Sequence, residues 1–144
     1  MKPTKTKIFL YSIFLVTVIP TIAIYIEHTI VEFNAFETAK TETKQIKTFG
    51  EGILFFVIGL GYAITAYLII KLPQWRIPYL IILVGTVAVT ILYYFRIYGI
   101  PILGTEIVIV DFSSDWRDVI TKICQNILVI PVAMLLKDVI NKKK

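Results

Sequence analysis

The sequence has one cysteine, one histidine and no carboxylate inside its long apolar runs, and each shortage closes a route to function. Cys124 has no second thiol for an intramolecular disulfide, so cysteine usage gives no reading of redox compartment. With His28 as the sole imidazole there is no His-Glu-x-x-His pair and no nucleophile with a histidine beside it, and a metal site wants three or more protein ligands. An acid within a span is the usual device of ion- or proton-coupled transport, and it too is missing. Neither a phosphate-cradling glycine loop nor an Asn-x-Ser/Thr acceptor occurs. The expectation is therefore a chain with no catalytic residue, no metal and no cofactor of its own.

What the sequence has in quantity is apolar side chains. Of 144 residues 57% are apolar, the formal charge is +5, and the mean hydropathy is +0.79, beyond what a soluble domain of this size can bury. Lipid must be part of its solvent. The basic residues sit at the ends of apolar runs and at the termini rather than along one face, which reads as a topology signal and not as a nucleic-acid surface.

A membrane helix needs roughly 20 apolar residues, because about 30 Å of hydrocarbon is crossed at about 1.5 Å per residue. Residues 8–26, 52–70 and 77–95 meet this without a charge. The first follows Lys2, Lys5 and Lys7 as a signal peptide would. It is too long for an h-region and ends in Ile-Tyr-Ile-Glu, so it reads as an uncleaved anchor. A fourth span, 116–136, opens with Ser113, Ser114 and Asp115 as candidate caps; Lys122 lies near enough to its start to snorkel outward.

The intervening segments alternate in charge. Between the first two spans stand Glu27, Glu32, Glu37, Glu42 and Glu51 against Lys40, Lys44 and Lys47; the next turn carries only Lys71 and Arg76. The third segment holds Glu106, Asp111, Asp115 and Asp118 against Arg96 and Arg117, and the chain closes on Lys142, Lys143 and Lys144. By the positive-inside rule both termini and the short turn are cytoplasmic and the two long loops are outside. Trp75, Tyr79 and Trp116 fall at span boundaries, where amphipathic rings suit the headgroup level. The expected fold is a single all-α domain of four transmembrane helices in the cytoplasmic membrane.

Within the spans, Gly59 and Ala63 form one small-xxx-small ridge and Gly61 and Thr65 another, suited to close helix packing inside the bundle or against a partner. The fourth span is the most polar, with Lys122, Cys124, Gln125 and Asn126, and Pro131 frees the carbonyl of Ile127. Such a helix could line a path, or simply hydrogen-bond to its neighbours. His28 and Glu32, four apart on a helical continuation of the first span, read as two solvated residues. Residues 97–112 are too apolar for a free loop; with Glu106, Asp111, Trp116 and Arg117 they form a candidate outer contact surface for another membrane subunit.

Two resemblances attach to these residues. The order Gly50-Glu51-Gly52-Ile53, Arg76-Ile77-Pro78-Tyr79 and Asp115-Trp116-Arg117-Asp118-Val119-Ile120 resembles the layout of the phosphate-starvation-inducible small membrane protein family, which has four spans. The long apolar third loop departs from that layout. Residues 115–125 and the Ile/Lys-rich composition also look like small membrane proteins of ammonia-oxidising archaea, some of them accessory subunits of the membrane-bound ammonia monooxygenase. This second resemblance implies a non-catalytic helper, and no copper-ligand motif is present to carry over. Sequence thus favours a small non-catalytic subunit packed into a membrane complex, with the lipid bilayer and other subunits as partners. The alternative is a small channel or carrier whose path follows Lys122, Gln125 and Asn126.

Overall fold

A computed structural model describes residues 4–98 and 116–141. It is all helix among the described residues: α1 Lys5–Thr38, α2 Glu42–Lys71, α3 Arg76–Tyr98 and α4 Trp116–Asn141. Three helices, α1, α2 and α4 from Val119, are long and apolar enough to cross a membrane, and α3 is apolar over Arg76–Ile91. The helices are hydrophobic nearly all round, with Phe9, Val16, Val57, Ile64, Val84 and Ile130 among many large apolar side chains turned outward, as a bilayer solvent requires.

Residues 27–51, read from sequence as a long outer loop, are helical except for residues 39–41. No proline or glycine interrupts the chain from Glu27 to Phe49, so α1 continues through His28 and Glu32 to Thr38 and α2 begins at Glu42. Phe49 of α2 packs its ring against Phe33 and Phe36 of α1, 6.1 and 5.4 Å between centroids, which holds the extension together as a hairpin. The apolar connection between α3 and α4, including Glu106 and Asp111, lies outside the described residues.

The four helices form a ring in chain order. Each packs on its neighbours, α1 most extensively on α2 and then on α4, while α2 and α3 touch least. The short connections 39–41 and 72–75 make α2 antiparallel to α1 and α3 antiparallel to α2. Two ion pairs fix α4 antiparallel to α1: Arg117 to Glu27 at 3.1 Å near one end and Lys7 to Asp138 at 3.2 Å near the other. Pro20 and Pro131 are accommodated inside continuous helices, Pro131 fully buried.

Threonine is unusually common in this core. Thr17, Thr21, Thr29, Thr65 and Thr121 are buried, and each hydroxyl donates to a carbonyl one turn back on its own helix, so none of these five hydroxyl hydrogens is left unpaired.

The small residues of α2 divide between two sides. A Cβ built on Gly59 meets Tyr25 Cβ at 3.1 Å, and one on Gly52 meets the Phe33 ring at 3.2 Å, so α1 and α2 approach where these side chains are missing. Ala63 is half-buried and Thr65 buried. Gly61 instead borders an open groove of about 140 Å³ between α2 and α3, where neither it nor Gly85 has a neighbour within reach of an added Cβ. Substitutions at the two glycines should therefore act in opposite senses. Gly59→Leu is expected to lower the stability of the detergent-solubilised protein by about 1–3 kcal/mol through overpacking. Gly61→Ala is expected to raise it by about 0.5–1 kcal/mol through helix propensity. Unfolding midpoints of the two variants against the parent check both signs.

Candidate functional site: a polar junction joining four helices

Gln125, midway along α4, has no solvent-exposed surface. An amide that far from water must find partners within the protein, and it finds three. Lys122, one turn earlier, places its Nζ 2.9 Å from Gln125 Oε1. Because an ammonium can only donate, this contact fixes the amide orientation and leaves the Nε2 hydrogens to the other side. There Nε2 donates to Tyr25 Oη of α1 at 2.9 Å and to Tyr62 Oη of α2 at 3.3 Å. Tyr62 Oη also shares a hydrogen bond of 2.8 Å with Thr86 Oγ1 of α3. As Tyr62 accepts from the amide, its own proton is free to go to Thr86. One connected set of side chains thus touches all four helices.

The set is rigidly walled. The rings of Tyr25 and Tyr62 stack nearly parallel, 6.1 Å between centroids with planes 11° apart, and Phe55 tilts against Tyr25 at 6.1 Å and against the His28 ring at 5.2 Å. Tyr25, Tyr62, Thr86 and Gln125 are all buried. Lys122 is part-buried; its ammonium turns onto Gln125 rather than extending only toward the headgroups, as a snorkelling lysine would.

The other candidate positions separate from this junction. Asn126, next in sequence to Gln125, lies about 100° round the helix and faces outward, and Cys124 is half-buried on a flank. Lys122, Gln125 and Asn126 therefore do not line one path: the first two belong to the junction and the third to the outer surface. Trp116 is exposed at the opening of α4, with the Arg117 guanidinium 5.6 Å from its ring centre and paired to Glu27. Among the described residues no group of three His, Cys, Asp or Glu side chains gathers where a metal ion could be held.

Nearer the other end a smaller polar contact repeats the principle. Tyr79, which its position marks as a headgroup-level aromatic, is instead completely buried, and its hydroxyl donates to the Pro73 carbonyl at 3.0 Å. Its single proton being so committed, the 3.4 Å contact with Tyr11 Oη of α1 has Tyr11 as donor. Trp75 keeps the exposed, boundary position expected of it.

Sequence reasoning singled out Gln125 and Lys122 but missed Tyr25 and Tyr62. The available signal was Tyr62 itself, a phenol in the middle of an apolar run and far from the headgroup level, where its hydroxyl needs a partner. The chain matches no family model, no curated protein and no solved structure.

The geometry makes Gln125 a fastener shared among four helices, with both the oxygen and the nitrogen of its amide engaged. Gln125→Leu should destabilise the bundle by about 1–3 kcal/mol, since it leaves the ammonium and two phenols without that partner. Asn126→Leu, on the outer surface, should be neutral or slightly stabilising. Chemical unfolding in mixed micelles, followed by tyrosine and tryptophan fluorescence, separates the two outcomes.

Proposed function

We propose that this chain is a small non-catalytic subunit of a larger membrane complex, crossing the cytoplasmic membrane four times with both termini on the cytoplasmic side. The observation that carries this reading is the α1–α2 hairpin. Past Ile26 the first helix continues for 12 residues, about 18 Å beyond its apolar stretch. On this extension Ile30 and Val31 of α1 and Ile46 and Phe49 of α2 remain exposed, Ile46 at 67%, among alternating glutamates and lysines. Apolar side chains raised out of hydrocarbon are stable when another surface covers them. Exposed Trp116 and the Arg117–Glu27 pair stand at the same end and extend the contact surface.

The polar junction supports a structural role over transport. Its amide is committed on both faces, and the residue that would continue a path, Asn126, points away. The resemblance of residues 115–125 to accessory subunits directs the reading further, toward a helper in an ammonia-monooxygenase-type complex.

Solubilisation in mild detergent followed by native electrophoresis tests the assignment. The chain is expected to migrate with partner subunits, and Ile30→Glu with Ile46→Glu should release it; a lone 16.5 kDa species at every detergent level would refute it. Reporter fusions before Met1 and after Lys144 should both read cytoplasmic.

A further inference from the structure

The end of the bundle opposite the hairpin is strongly and asymmetrically basic. Lys5 of α1, Lys71 at the end of α2, Arg76 at the start of α3 and Lys137 of α4 stand there with Lys7, against a single carboxylate among the described residues, Asp138, already paired to Lys7. Lys5, Lys71 and Lys137 are exposed. Arg76 is held against the bundle by one long contact, Nη2 to the Ile140 carbonyl at 3.5 Å, while its buried Nε has no hydrogen-bond partner among the described residues. Arg76 is half-buried, and a guanidinium engaged by a single long contact keeps donor capacity for an acceptor with several oxygens.

Lys71 and Arg76 flank the tight turn 72–75, which is closed by the Trp75 N–H on the Leu72 carbonyl at 2.9 Å. The turn also carries exposed Leu72 and Trp75, and Lys71 lies 5.9 Å from the Tyr67 ring centre. Exposed apolar side chains interleaved with cations at one end of an apolar bundle are the arrangement of a headgroup-level contact. The surface therefore faces a partner that is anionic, oxygen-rich and joined to hydrocarbon.

We propose that this basic end is a docking surface for anionic phospholipid headgroups, with Lys71 and Arg76 as its principal cations and Trp75 at the acyl boundary. The proposal depends on the helices being membrane spans and is independent of membership in a complex. Charge complementarity selects the lipid class: phosphatidylcholine brings its own cation to the same place, whereas phosphatidylglycerol leaves the phosphate charge for the protein. The acidic and basic side chains of the hairpin end are mixed, so no such preference arises there.

The purified chain, kept in a mild nonionic detergent, is titrated with phosphatidylglycerol and, separately, with phosphatidylcholine, and bound lipid is counted by native mass spectrometry. Phosphatidylglycerol should be retained preferentially. Lys71→Gln and Arg76→Gln should each lower that preference about fivefold, and raised salt should erase it. Lys71→Arg should preserve it. Equal retention of the two lipids, or an unchanged preference in the double glutamine variant, would overturn the proposal. Inorganic phosphate is expected not to displace phosphatidylglycerol; displacement would assign the cations to a free anion and overturn the lipid assignment. Should the double variant fail to fold, the salt titration of the unaltered chain decides, with salt-independent retention refuting the idea. Alkaline carbonate extraction of membranes tests the spans separately, because release of the chain would sink the membrane reading itself.

Discussion

In hydrocarbon no water stands ready to hydrogen-bond a misplaced amide, and the organisation of this bundle follows from that constraint acting on Gln125. The side chain is fully buried and must be satisfied from the protein. Lys122 supplies a donor to its oxygen, and Tyr25 and Tyr62 accept from its nitrogen. The backbones of α2 and α4 are not neighbours, so the Tyr62–Gln125 bond ties a diagonal of the ring that backbone packing leaves open. Tyr11 and Tyr79 tie the other diagonal, between α1 and α3. Register among the four helices is thus set by polar contacts that have no good substitute in a lipid medium. A sliding or rotated helix would strand a hydroxyl, an amide or an ammonium there.

Packing fills in around these ties unevenly. Burial of apolar surface gives little drive for helices to associate within lipid, so close backbone approach matters more than hydrophobic area. Between α1 and α2 that approach is built by Gly52 and Gly59 beneath Phe33 and Tyr25. The α2–α3 seam lacks it. Gly61 and Gly85 border an unfilled space instead, and the seam relies on the Tyr62–Thr86 bond and on the turn after Lys71. α1 is consequently the helix against which α2 and α4 are held most extensively, and α3 is the least firmly held.

The two ends of the bundle differ in kind. One carries a helical hairpin of mixed charge with apolar side chains left uncovered, suited to another protein surface; the other carries an excess of cations around a short turn. Between them, among the described residues, no set of metal ligands is gathered, and the Gln125 amide is engaged on both sides.

Much of the helical content was legible from the amino acids alone, because a run such as residues 52–70 cannot leave its backbone polar groups unpaired in lipid and must be helical. Charge alternation misplaced the facing ends of α1 and α2, which run on through charged residues to Thr38 and from Glu42, while the polar character of Gln125 and Lys122 marked a place where partners were needed. Rotation about each helix axis was not legible. Uniformly apolar helices have almost no amphipathic signal, so nothing in residues 124–126 says that Gln125 faces inward and Asn126 outward, or that Tyr79 is buried although it stands at a boundary. Sequence therefore determined that these segments are helices made for a membrane, through the cost of unpaired backbone in hydrocarbon. Which side chains meet at the centre was decided only by tertiary structure, because hydrogen bonds between Tyr25, Tyr62, Thr86 and Gln125 join residues up to 100 positions apart.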